Sequence, residues 1–155
     1  MAQVLFLCTG NYYRSRFAEV LFNALAPRYT LSYQALSRGL ATELEVRTVG
    51  MSPVAVQALQ AMGINPLGAE RYPLQVYEQD LQAAQRIIAL KEAEHKPYLQ
   101  ARHPTWVDAV EYWHIHDGLP TPAYNPLAEI TRAVHLLCQE LTPRSTHNAA
   151  CTSMR

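Results

Sequence analysis

The first twenty-five residues constrain this chain most. Met1 to Leu7 is apolar and β-compatible, the pattern of a strand buried on both faces. Cys8-Thr9-Gly10-Asn11-Tyr12-Tyr13-Arg14-Ser15 follows. Then Phe17, Ala18, Val20, Leu21, Ala24 and Leu25 recur at helical spacing, and Pro27 marks the end of that pattern. Buried strand, Gly-containing loop and helix form the architecture an anion cradle needs.

The loop carries the chemistry for such a cradle. The residues between Cys8 and Arg14 can wrap tightly, so that backbone N–H groups converge on an anion. Gly10 permits positive φ and Asn11 tolerates it. The planar fork of Arg14 can hold two phosphate oxygens, and a helix starting near it adds the positive end of its dipole. The same field favours thiolate over thiol at Cys8. Spacing alone is weak evidence, because a strand-end cysteine is often a plain buried thiol. The strand before it and the helix after it weigh for the functional reading.

With these residues in place, the chain resembles the low-molecular-weight protein tyrosine phosphatases. Cys8 to Ser15 looks like that family's signature loop, and Ser37-Arg38-Gly39 looks like its Ser-Ala-Gly turn after the second strand. Asp117, after Val110-Glu111-Tyr112-Trp113-His114-Ile115, stands where the family places its general acid. Similarity of order runs over about residues 3 to 141. The resemblance implies catalytic Cys8, Arg14 and Asp117, with phosphate held by Thr9, Gly10, Asn11, Tyr12, Tyr13, Arg14 and Ser15. It implies Ser37 and Arg71 as supports, and neither metal nor cofactor. Three departures stand out. The family's usual Asp-Pro with following tyrosines is here Asp117-Gly118-Leu119-Pro120, with a tyrosine only at Tyr124. Its second loop cysteine is replaced by Tyr13, and its proline by Arg16.

Bulk properties bound the rest. A chain of 155 residues, 49% hydrophobic, suits one globular domain with a proper core. Zero formal net charge argues against a nucleic-acid partner. No segment is long enough to span a membrane, and the N-terminal apolar stretch does not read as a signal peptide. The 3 cysteines are widely spaced and odd in number, which is no disulfide framework. A reducing cytoplasm is the expected location.

The expected elements alternate. Leu31 to Leu36 reads as a second strand, Arg86 to Leu90 as a third and Val110 to Ile115 as a fourth. Ser52-Pro53 starts a helix, with Ser52 as cap and Gly63 at its close. Val76 to Ala84 and Lys91 to Ala101 are further helices, the latter despite Pro97. A last amphipathic helix starts at Pro126 and carries Leu127, Ile130, Val134, Leu137, Cys138 and Leu141. Leu40 to Met51 has no steady period and reads as a loop bordering the site. The expectation is a single α/β domain over 1–142, with a small, about four-stranded parallel sheet and helices on both faces. The resemblance names that fold phosphotyrosine protein phosphatase I-like. Residues 143–155 read as a flexible tail. Cys8 and Asp117 both fall just past a strand's carboxyl end, where such sheets bind ligands.

Several residues keep two readings. Asp117 is either the acid or a loop aspartate before glycine, with Asp108 the spare candidate. Tyr12 and Tyr13 are either aromatic walls for a phosphoaryl ring or side chains that pack away. His114 and His116 form a His-x-His pair with no evident further metal ligand. Cys138 reads as a core thiol and Cys151 as a spare thiol in the tail. The leading expectation is a phosphatase acting on a phosphotyrosine protein or small aryl phosphate through a cysteinyl-phosphate, with phosphate or sulfate able to occupy the loop. An arsenate reductase of the same fold is the first rival, but no cysteine lies between Val49 and Glu111 to relay a disulfide. A phosphate-binding module without turnover is the second.

Overall fold

The computed structural model describes residues 1–143. The expected tail, apart from Pro143, and with it Cys151, lies outside the described residues. Four strands form one parallel sheet: β1 (Ala2–Cys8), β2 (Tyr33–Gly39), β3 (Arg86–Ala89) and β4 (Glu111–Tyr112). Their order is β2-β1-β3-β4. Among the described residues five α-helices accompany them: α1 (Arg14–Leu25), α2 (Pro53–Ala61), α3 (Glu78–Ala83), α4 (Glu92–Arg102) and α5 (Pro126–Leu141).

The continuous apolar run of β1 follows from its central place. It pairs with β2 from Ala2↔Tyr33 to Cys8↔Gly39 and with β3 from Val4↔Arg86 to Leu7↔Ala89. Its side chains alternate between two cores. Val4 and Phe6 join Phe17, Leu21 and Phe22 of α1 and the apolar stripe of α5, while Leu5 and Leu7 join Leu81, Ile87 and Leu99 under α3 and α4. Phe17, Leu21 and Phe22 are at most 1% exposed. Burying each contributes roughly 1.5–3 kcal/mol, which is what seats α1 on the sheet.

Local signals set the helix ends. Ser52 Oγ accepts from the Val54 amide at 3.2 Å, with Pro53 in the first turn, so the expected cap forms. Gly63 closes that segment at φ +75°. Asn125 caps α5 through the Ala128 amide at 3.1 Å. The expected helix ending at Ala101 runs from Glu92 to Arg102 and retains Pro97 inside it.

Two strand expectations need correction. The second strand starts at Tyr33, because the Leu31 amide bonds to Ala26 O and holds Leu31 in the turn after α1. It then continues through Ser37-Arg38-Gly39, which is strand and not a turn, since these residues pair with Phe6, Leu7 and Cys8. The fourth strand keeps only Glu111 and Tyr112, because β3 is 4 residues long and offers a short ladder. Beyond it the chain stays tied by Trp113 N to Ala89 O and Ile115 N to Leu90 O.

In this order the chain leaves β1 toward β2 on one side and returns to β3 on the other. The connections diverge at the carboxyl ends of β1 and β3, the place where open α/β sheets form ligand crevices. Among the described residues no helix is long and apolar enough to cross a membrane.

Candidate active site

Cys8 ends β1 and Arg14 opens α1, so the loop between them spans the crevice. Among the described residues no side chain caps α1. The amides of Gly10, Asn11, Tyr12 and Tyr13 donate to no protein acceptor among the described residues. With the unpartnered first amides of the helix, this is a set of N–H groups available to an anion.

The residue that takes the left-handed conformation is Asn11, at φ 52°, and not Gly10. Gly10 is needed for space: a Cβ there would sit 2.8 Å from Glu45 Oε2. The wholly buried Asn11 side chain explains why its strained backbone persists. Its Nδ2 donates to Ser15 Oγ at 2.9 Å and to Ser37 Oγ at 3.0 Å. Its Oδ1 accepts from Arg71 Nη1 at 3.1 Å and from the Leu74 amide at 3.0 Å. Ser37 and Arg71 also meet Glu19: Ser37 Oγ donates to Glu19 Oε1 at 2.5 Å, and Arg71 Nη2 lies 3.3 Å from it. Ser37 and Arg71 thus stand behind the loop, holding its turn.

Cys8 Sγ lies 2.9 Å from Ser15 Oγ. Ser15 Oγ already accepts from Asn11, which leaves its O–H to point at the sulfur, an arrangement suited to a thiolate. Arg14 is 3% exposed. Its Nη1 donates to Ile115 O at 3.0 Å, its Nη2 to Glu94 Oε2 at 2.7 Å, and its Nε lies 3.4 Å from Asp117 Oδ1. Asp117 reaches the site from beyond β4, and its side chain is 57% exposed. A recess of about 210 Å³ brings Cys8, Arg14 and Asp117 together with Tyr12, Tyr13 and Arg47. Asp108 does not line it, because it precedes β4 and so belongs to the sheet's amino end.

Three residues of the site escaped the sequence reading. Glu94, in the first turn of α4, accepts from Thr9 Oγ1 at 2.6 Å as well as from Arg14. Burial alone would raise its carboxyl, but His95, Arg14 and Thr9 outweigh that and hold it well below the usual carboxylate range. Its position past β3 was the available signal. Arg47 and Glu45 come from the loop bordering the site, where no aromatic anchor was evident. Arg47 stacks over the Tyr12 ring at 4.0 Å. Tyr13 lines the recess, yet its buried Oη has no partner among the described residues; burial first, then Asp117, push it up to about 12.

Arg16, where the family often has proline, is buried and donates to Arg71 O at 3.0 Å and Gly68 O at 2.9 Å. It anchors the segment that carries Arg71. Burial and then Arg71 push it down to about 10, so it stays charged at neutral pH. His116 lies against Lys91 Nζ, and no group of three or more potential metal ligands forms among the described residues.

Residues 3–143 match the family model for low molecular weight phosphotyrosine protein phosphatase. The chain belongs to that family. It is therefore a phosphatase by family, a hydrolase on the four-stranded parallel fold described above. The low molecular weight protein tyrosine phosphatase of T. tengcongensis is 26% identical with a TM-score of 0.74, over 91% of this chain and 100% of that one. Two others show the fold at lower identity. Vibrio vulnificus Wzb, in complex with benzylphosphonate, is 17% identical over 90% of this chain and 99% of its own, with a TM-score of 0.70. The arginine phosphatase YwlE, as a mutant with a phosphorylated active-site serine, is 20% identical over 93% and 98%, also at 0.70. No curated protein matches the chain.

Proposed function

We propose that this phosphatase hydrolyses aryl phosphate monoesters of the phosphotyrosine type through a phosphocysteine at Cys8. The observation that carries the reading is the convergence of Cys8, Arg14 and Asp117 on one recess, with the free amides of the loop around it. In the first step the Cys8 thiolate attacks phosphorus as the phosphorus–oxygen ester bond breaks. Asp117 protonates the leaving oxygen. In the second step Asp117 takes a proton from water, water oxygen bonds to phosphorus, and the Cys8 thiolate leaves. The Ser15 hydroxyl at 2.9 Å stabilises that thiolate. Arg14 and the loop amides bind the equatorial oxygens throughout.

Tyr12, backed by Arg47, supplies a wall for the aryl ring. The substrate is a phosphotyrosine protein or a small aryl phosphate, and phosphate or sulfate occupies the same cradle. Domain bounds of 1–142 suit this activity, and a cytoplasmic setting suits the thiolate. The relay chemistry of an arsenate reductase finds no support, because Cys138 is wholly buried within α5.

The test is turnover of an aryl phosphate by wild type and Cys8→Ser, with mass analysis of the acid-quenched Cys8 peptide. Phosphoarginine is the competing substrate, because a protein of this fold is an arginine phosphatase. We expect turnover and a phosphorylated Cys8 in wild type, neither in Cys8→Ser, and preference for the aryl ester. Oxyanion binding without turnover would leave a phosphate-binding module instead.

A further inference from the structure

We propose that Glu94 is the residue that positions Arg14 for phosphate, stapling its guanidinium to Thr9 across the loop from the first turn of α4. The inference rests on the reading of Cys8 to Ser15 as the phosphate cradle.

One carboxylate oxygen, Glu94 Oε2, lies 2.7 Å from Arg14 Nη2 and 2.6 Å from Thr9 Oγ1. Thr9 and Arg14 are at opposite ends of the loop, so a single acceptor on a neighbouring helix ties them together. Arg14 has a second fixed contact, Nη1 to Ile115 O at 3.0 Å. Two anchors on different nitrogens set the plane of the guanidinium. Its remaining N–H donors are left for a two-pronged contact with an oxyanion. Asp117 is a poorer anchor, at 3.4 Å and 57% exposed against 29% for Glu94.

Glu94 is itself held. His95 is wholly buried, and its Nδ1 accepts from the Lys91 amide at 3.0 Å. That contact puts the imidazole proton on Nε2, which faces Glu94 Oε2 at 3.2 Å. The alignment is too poor for a hydrogen bond, so this is an electrostatic contact. The start of α4 adds a favourable dipole. Held well below the usual carboxylate range and accepting from both Thr9 and Arg14, Glu94 carries no proton to donate, so it is a positioning residue and not a second general acid.

The experiment measures tungstate and phosphate affinity by calorimetry in the Cys8→Ser background. It compares Glu94→Ala, Glu94→Gln, Arg14→Ala and the Arg14→Ala/Glu94→Ala pair, with a thermal midpoint for each. Misplacing a group at a reacting centre by about 1 Å costs up to roughly a hundredfold in rate. We expect Glu94→Ala to lose on the order of tenfold in affinity and Glu94→Gln less. The double variant should lose clearly less than the sum of the two single losses, because Glu94 acts chiefly through Arg14. With Cys8 intact, kcat for an aryl phosphate should fall by a similar factor in Glu94→Gln, with the pH profile unmoved. If Glu94→Ala does not fold, the near-isosteric Glu94→Gln carries the test. Full oxyanion affinity in both Glu94 variants while Arg14→Ala loses it would overturn the proposal, as would additive losses in the double variant. Full affinity in Arg14→Ala would overturn the cradle reading beneath it.

Discussion

The guanidinium carbon of Arg47 sits 4.0 Å from the ring centroid of Tyr12. The two residues come from different loops, and both line the recess that holds Cys8. A stacked guanidinium stiffens the tyrosine as a wall and puts a positive charge at the rim. Exposed contacts of this kind are worth about 0.5–1 kcal/mol. Arg47→Ala should therefore raise KM for an aryl phosphate by roughly two- to fivefold and leave kcat nearly unchanged. Steady-state kinetics check this, and an unchanged KM would remove Arg47 from the substrate wall.

Asp117→Asn should slow esters with poor leaving groups far more than esters with good ones. A general acid matters in proportion to the basicity of the oxygen it protonates, and typically contributes about 10²–10⁴-fold. Gly118, at φ 140°, gives the loop after Asp117 a backbone other residues rarely adopt. Rates for a series of aryl phosphates of graded leaving-group pKa give the answer. Equal slopes in wild type and variant would place the acid elsewhere.

Asn11 combines a left-handed backbone with four side-chain hydrogen bonds. Asn11→Ala should cost about 2–4 kcal/mol, from the strain of a Cβ residue at φ 52° and from polar groups left unpaired. Asn11→Gly relieves the strain and still loses the bonds, so it should fall between wild type and alanine. Urea unfolding measures both. Equal stability of the two variants would show that the backbone strain is negligible.

The legible parts of the fold and site were those with local causes. The run of β1, the stripe of α1 and the Ser52-Pro53 cap announce themselves through short-range pattern, and the convergence of Cys8 with Asp117 follows from both standing past strand ends. What was hidden depends on distant partners. Gly39 looked like a turn residue because its pairing with Cys8 is invisible in its own neighbours. Gly10 and Asn11 were both open to positive φ; Asn11 takes it, and the constraint on Gly10 is Glu45, from a loop without any period. Glu94 shares the first turn of α4 with Glu92, nothing in its neighbours sets it apart, and only the return of β3 beside β1 brings it to Arg14.

His95 should make the protein lose stability in mild acid. Its side chain is wholly buried, and burial holds its imidazole below the ordinary value of about 6.5. The unfolded chain then binds a proton below that pH which the folded state refuses. Stability is therefore full above the unfolded value and falls as pH drops through it, by up to about 1.4 kcal/mol per pH unit. His95→Asn does not titrate and should show a shallower decline between pH 7 and 5. Parallel declines in denaturant midpoint would rule out His95 as the source.

Peroxide should inactivate this phosphatase with poor recovery. A thiolate at Cys8 reduces peroxide and becomes a sulfenic acid; a second peroxide carries it to the irreversible sulfinic acid. In relatives a second loop cysteine traps the sulfenic acid as a reducible disulfide, but here that position is Tyr13. Cys138 cannot substitute for it. It is wholly buried in α5, and burial pushes its thiol up to about 11, so it is a protonated core group at neutral pH. Running the experiment in both wild type and Cys151→Ser removes any dependence on the remaining cysteine. The readout is activity after a brief peroxide pulse and then dithiothreitol, with mass analysis of the Cys8 peptide. We expect sulfinic acid and little regained activity in both proteins. Full recovery in Cys151→Ser with a Cys8–Cys138 disulfide would refute this, because it would require α5 to open and would restore the relay that an arsenate reductase needs.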